Sequence, residues 1–131
     1  MANNNKVAIL VLADTETHTD HGRLTNAMET TKEFKEAGDE VQLIFDGAGT
    51  KWVAELSKKE NRFNQFFNSL KEQGDNNTTG KPPSIVACKF CANAFGVEAK
   101  VRESGTKLAD EFEGHPSLRK LVSQGYQIIS F

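Results

Sequence analysis

The feature that most constrains the fold is the run Lys6 to Ala13, KVAILVLA, a continuous apolar stretch rich in branched residues. A strand with water on one face alternates polar and apolar side chains. One without alternation is buried on both faces, as in a parallel sheet covered by helices. Parallel strands need long crossovers, so this run predicts an alternating strand–helix chain.

The rest of the sequence keeps that rhythm. After the polar stretch Asp14 to Gly22, Leu24, Ala27, Met28, Thr31 and Phe34 recur at helical spacing, predicting a helix over about 23–37 that Gly38 ends. VQLIF (41–45) reads as a second strand. Asp46 to Gly49 reads as a turn, and Thr50 as the cap of a short helix carrying Trp52, Val53 and Leu56. Phe63, Phe66, Phe67 and Leu70 mark a helix over about 61–71. Gln73 to Ser84, dense in Gly, Asn, Thr and Pro, reads as a flexible internal loop. Ile85 to Ala87 is a third strand with Cys88 at its end. A helix over about 91–103, a short strand within 106–112, a helix opened by Gly114-His115-Pro116 and running to about Gln124 with Pro116 near its first turn, and a last strand over 126–131 complete the series.

The order β-α-β-α-β-α-β-α-β implies an α/β fold of three layers. A five-stranded, mostly parallel sheet carries helices on both faces. The commonest arrangement of this kind is flavodoxin-like, with spatial order 2-1-3-4-5. At 131 residues the chain is expected to form one domain over 1–131. The last strand would lie at the sheet edge with apolar side chains on both faces, which invites pairing or covering by another copy.

In such sheets ligands bind beyond the carboxyl ends of the strands, where strand order reverses. With order 2-1-3-4-5 that point falls between strands one and three. His18 and His21 follow strand one, Cys88 and Cys91 follow strand three, and His115 follows strand four. Cys88-Lys89-Phe90-Cys91 at a strand-to-helix junction is the main chemical candidate. A thiolate gains from a helix N-terminus and from the charge of Lys89, and a second thiol two residues away can resolve a disulfide or persulfide. Asp14, His18, His21 and His115 are candidate supporting groups, the histidines through their pKa near neutrality. No metal is expected, since the chain has only this one cysteine pair and the histidine spacing does not ask for an ion. A thioredoxin fold is disfavoured, because there the motif follows an early strand.

Charge excludes some functions. A net charge of -2 with scattered Lys and Arg gives no footprint for nucleic acid. No apolar run approaches a membrane span. The segment 7–13 is too short for a signal peptide core, so a cytoplasmic location is expected.

Four segments carry a family resemblance: KVAILVLAD (6–14), VQLIFDGAGTKW (41–52), IVACKFCANAFGV (85–97) and EGHPSLRKLVSQGYQIISF (113–131). Through them the chain resembles the DsrE-like (DsrE/DsrF/TusD) family of small sulfur-relay proteins, in a CxxC-bearing single-domain subgroup. The resemblance implies a flavodoxin-like fold, trimers or hexamers, and no organic cofactor. It implies that Cys88, by its distance to Gly96-Val97, carries a persulfide, and that Cys91 is an addition that permits a disulfide cycle. The expected function is sulfur carriage or sulfurtransferase activity between donor and acceptor proteins. The alternatives are a non-catalytic oligomeric module that binds a small ligand or protein and keeps structural cysteines, and a CxxC thiol–disulfide redox protein.

Overall fold

The computed structural model describes residues 4–71 and 83–131. Most of the expected loop over 73–84 lies outside the described residues. The elements are β1 (Lys6–Val11), α1 (His18–Glu36), β2 (Glu40–Phe45), a 3-10 turn (Gly47–Thr50), α2 (Lys51–Leu56), α3 (Asn64–Leu70), β3 (Ile85–Cys88), α4 (Lys89–Ala94), α5 (Glu98–Glu103), β4 (Lys107–Ala109), α6 (Leu118–Ser123) and β5 (Gln127–Ser130).

All five strands pair in parallel, and the α/β class holds. The spatial order is β4-β3-β2-β1-β5 and not 2-1-3-4-5. Strand β1 lies between β2 and β5, and β2 separates it from β3. The apolar pattern identifies which strands are buried on both faces, but it does not choose their neighbours. The chain steps outward from β1 to β4, then crosses back beyond β1 to lay down β5. The reversal therefore falls between β1 and β5, not between strands one and three. Strand β5 is an edge strand as expected, and its residues are exposed or half-buried.

This order explains how the layers divide. Right-handed crossovers that step in one direction place their helices on one face. Val7, Ile9 and Val11 of β1 pack on that face with Leu43, Phe45, Leu24, Met28, Val53, Leu56, Phe67 and Val101. The single crossover in the opposite direction places α6 on the other face. There Leu118 and Leu121 pack against Ala8, Leu10, Ile44, Val86 and Tyr126.

Local chemistry sets the helix ends. Helix α1 starts earlier than the apolar spacing predicts, because Thr17 and Asp20 form a capping box. Thr17 Oγ1 accepts from Asp20 N at 3.1 Å, and Asp20 Oδ2 accepts from Thr17 N at 3.1 Å. His18 and His21 thus lie in the first turns of a helix rather than in a loop. The helix expected over 91–103 is two helices. Gly96 takes φ 72°, and its N–H bonds Asn93 O while Val97 N–H bonds Ala92 O, a Schellman ending for α4. Thr50 provides no side-chain cap; Asp46 does so for the 3-10 turn, accepting from Gly47 N at 2.8 Å. Ser117 caps α6, so Pro116 precedes the helix rather than standing in its first turn. Among the described residues no helix is long and apolar enough to cross a membrane.

Candidate functional site

Strands β2, β3 and β4 end side by side, so Asp46, Cys88 and the turn that carries His115 meet at one edge. Cys88 closes β3 and caps α4, its Sγ accepting from Cys91 N at 3.4 Å. His115 Nδ1 lies 3.3 Å from Cys88 Sγ. With the ring proton on Nε2, Nδ1 accepts the thiol hydrogen; with both nitrogens protonated, it donates to a thiolate. On the opposite side, Cys91 Sγ donates to Asp46 Oδ1 at 3.4 Å. Ligand atoms of Asp46, Cys88, Cys91 and His115 all lie within 4.8 Å of one another.

The turn that brings His115 in is backbone-driven. Phe112 and His115 exchange two backbone hydrogen bonds, at 2.9 and 2.8 Å. Glu113 takes φ 50° and Gly114 φ 84°, and the first is costly for a side-chain-bearing residue. Gly114 O accepts from Phe90 N at 2.8 Å, and a Cβ on Gly114 would meet Phe90 Cβ at 3.3 Å. The Phe90 ring lies 4.7 Å from that of His115. Phe90, Phe95 and Phe112 are exposed near this edge.

Two expectations about the thiols change. Cys88 is fully buried, while Cys91 is half-exposed. Burial pushes the Cys88 thiol up to about 12, helped by Cys91 and by the charge of Asp46 and opposed by the Cys91 backbone N–H. The anticipated lowering at the helix start is outweighed, because the site is withdrawn from water and its near charges are negative. Lys89 does not supply the expected cation: its Nζ lies 3.9 Å from Asp110 Oδ2.

The residues after β1 form a second cluster. Lys51 Nζ meets Asp14 Oδ1 at 2.6 Å and Glu16 Oε1 at 3.4 Å. Lys51, then the Thr15 backbone N–H, hold the Asp14 carboxyl below its usual range. Trp52 Nε1 donates to Ala13 O and Asp14 O at 3.1 and 3.0 Å. His21 packs edge-on against Trp52, ring centroids 5.0 Å apart, and its Nε2 lies 3.1 Å from Thr15 O. Asp14, His18 and His21 are therefore not among the three groups that surround Cys88, which are Asp46, Cys91 and His115. The expected gathering of all three histidines at the thiols required β1 beside β3. Of the supporting residues read from sequence, only His115 joins the cysteines. Asp46 was missed as a site residue, since as the first residue after a strand it read only as a turn former.

A parallel α/β domain with two thiols, an imidazole and a carboxylate at its carboxyl edge defines a class of small thiol-bearing proteins. Within that class the chain belongs to the DsrE/DsrF-like family, whose model matches residues 6–131. It is 31% identical over 97 residues to an uncharacterized protein, MJ0733, of Methanocaldococcus jannaschii, covering 74% of this chain and 70% of that one. Its fold is similar to that of BT1422, a conserved protein of unknown function from Bacteroides thetaiotaomicron. There the TM-score is 0.56 at 19% identity, over 97% of this chain and 95% of the other.

Proposed function

We propose that the Cys88–Cys91 pair carries a sulfane sulfur, with Cys91 as the thiol that meets donors and Cys88 as the inner thiol that holds the sulfur. The carrying observation is Cys88 Sγ at 3.3 Å from His115 Nδ1, with half-exposed Cys91 on the solvent side. A thiol that is protonated at neutral pH needs a base at the moment of attack, and an imidazole is suited to that task. Family membership supports the sulfur chemistry.

The steps balance without net oxidation. Cys91 loses its proton toward Asp46 and attacks the outer sulfur of a donor persulfide. The donor S–S bond breaks, a Cys91 persulfide forms, and the donor leaves as a thiol with that proton. Cys88 gives its proton to His115 and attacks the same outer sulfur. The sulfur moves to Cys88, and Cys91 leaves as a thiolate that is reprotonated. Return through Cys91 delivers the sulfur to an acceptor thiolate.

Incubation of the reduced protein with a small persulfide donor, followed by intact mass measurement, tests this reading. Wild type is expected to gain one sulfur that survives a brief challenge with a small thiol. Cys88→Ser is expected to gain sulfur that the challenge strips. Equal and equally durable gain in both proteins, or gain in neither, contradicts the proposal. A thiol–disulfide couple is the second reading, favoured by the close approach of the two sulfurs. It requires a reversible Cys88–Cys91 bond and turnover of a model disulfide.

A further inference from the structure

We propose that Asp46, Cys88, Cys91 and His115 form a tetrahedral site for a zinc-like divalent cation, separate from their role in sulfur carriage. Asp46 follows β2, Cys88 ends β3, Cys91 lies in the first turn of α4, and His115 stands in the Phe112–His115 turn beyond β4. One carboxylate oxygen, two sulfurs and one imidazole nitrogen lie within 4.8 Å of one another. A tetrahedral Zn²⁺ with Zn–S of about 2.3 Å and Zn–N of about 2.0 Å requires S···N and S···O edges of about 3.6 Å. The Cys88–His115 and Cys91–Asp46 contacts, at 3.3 and 3.4 Å, are close to that spacing. Small side-chain adjustments around a central ion complete the figure.

The donor chemistry selects the ion. Two thiolates and an imidazole favour Zn²⁺ over Mg²⁺ or Ca²⁺, which take oxygen ligands. Binding replaces the two thiol hydrogens, which leave to solvent as protons. The surroundings already fix several donors. Gly47 N–H holds Asp46 Oδ1 at 2.8 Å, Cys91 N–H holds Cys88 Sγ, and the strained turn at Glu113–Gly114 holds His115 in place. Such outer contacts orient ligands in metal sites. The short Cys-x-x-Cys spacing gives no hint of the other two ligands, which are supplied by strand adjacency. Metal and sulfane sulfur would compete for the same thiols, so an occupied site is closed to sulfur loading.

Titration of the reduced full-length protein with Co²⁺, without any sulfur donor, tests the inference. The expected result is a thiolate-to-cobalt charge-transfer band with intense tetrahedral visible bands, saturating at one equivalent and abolished by one equivalent of Zn²⁺. Loss of an outer contact alone typically weakens a metal site about 10–100-fold. His115→Ala and Asp46→Ala, verified as folded by circular dichroism, are each expected to weaken binding by at least as much. No charge-transfer band overturns the proposal. So does a band of unchanged affinity in both variants, which would mean that thiols alone hold the ion. Sulfur loading is read separately by mass, so failure of either proposal leaves the other standing.

Discussion

At the scale of single residues, the two cysteines differ in what they can meet. Cys88 has no exposed surface and a raised pKa, whereas Cys91 faces solvent beside Asp46. Thiolate reactivity follows both ionisation and access. Alkylation at neutral pH, followed by mass mapping, should modify Cys91 first and leave Cys88 protected until the protein is denatured. Equal rates at both thiols would contradict the burial of Cys88. The cysteine pair and His115 were legible because their residue types carry chemistry wherever they stand. Asp46 was not, since its meeting with Cys91 depends on β2 lying beside β3. Lys89 misled for a related reason, because the fold gave its ammonium a carboxylate at Asp110.

At the scale of elements, the 3-10 turn after β2 is pressed against the end of β1. Gly49 is buried there, and a Cβ at that position would run into the Val11 carbonyl, a backbone atom that cannot swing aside. Gly49→Ala is therefore expected to destabilise the fold by about 1–3 kcal/mol, as overpacking with backbone displacement does. Urea unfolding of the variant measures it, and a loss below about 0.5 kcal/mol would contradict the tight packing. Strand existence was readable from unbroken apolar runs, and the helix stripes from their period. The division of 91–103 into α4 and α5 was not, because apolar spacing continues across Gly96 while the backbone turns. The early start of α1 was also hidden, since Thr17 and Asp20 cap the helix from within a stretch that lacks apolar residues.

At the scale of the molecule, among the described residues, the sheet buries one face under five helices and the other under α6 alone. Tyr126 packs on the sparsely covered face. Burial, then the nearby Glu40, raises its pKa from 10.0 to about 12. A folded-state pKa above the unfolded value gives stability that is complete below the unfolded pKa and disappears as pH rises through the folded one. Tyr126 thus contributes a loss of stability between about pH 10 and about pH 12. Cys88, raised from 9.0 to about 12, acts in the same sense from a lower starting pH. Urea midpoints at pH 9 and pH 11 should fall more for wild type than for Tyr126→Phe; equal falls would contradict the burial of the phenol. The open edge of β5 and the thin cover on this face also lead us to propose that the protein is a homo-oligomer. Sedimentation equilibrium should give a mass several times that of one chain, and a monomer at micromolar concentration would contradict it. The α/β class was legible from the unbroken apolar strands, but strand order was not. Reading β1 as the neighbour of β3 is what drew Asp14, His18 and His21 toward the thiols in the sequence-based expectation.

The most direct test of the paired-thiol account is the location of the loaded sulfur. After loading with a persulfide donor and trapping with an alkylating agent, fragmentation of the peptide that spans Cys88-Lys89-Phe90-Cys91 assigns the extra atom to one cysteine. The sulfur that survives a thiol challenge is expected on Cys88, and His115→Ala is expected to slow its arrival there. Surviving sulfur on Cys91 alone, or none on this peptide, would contradict it.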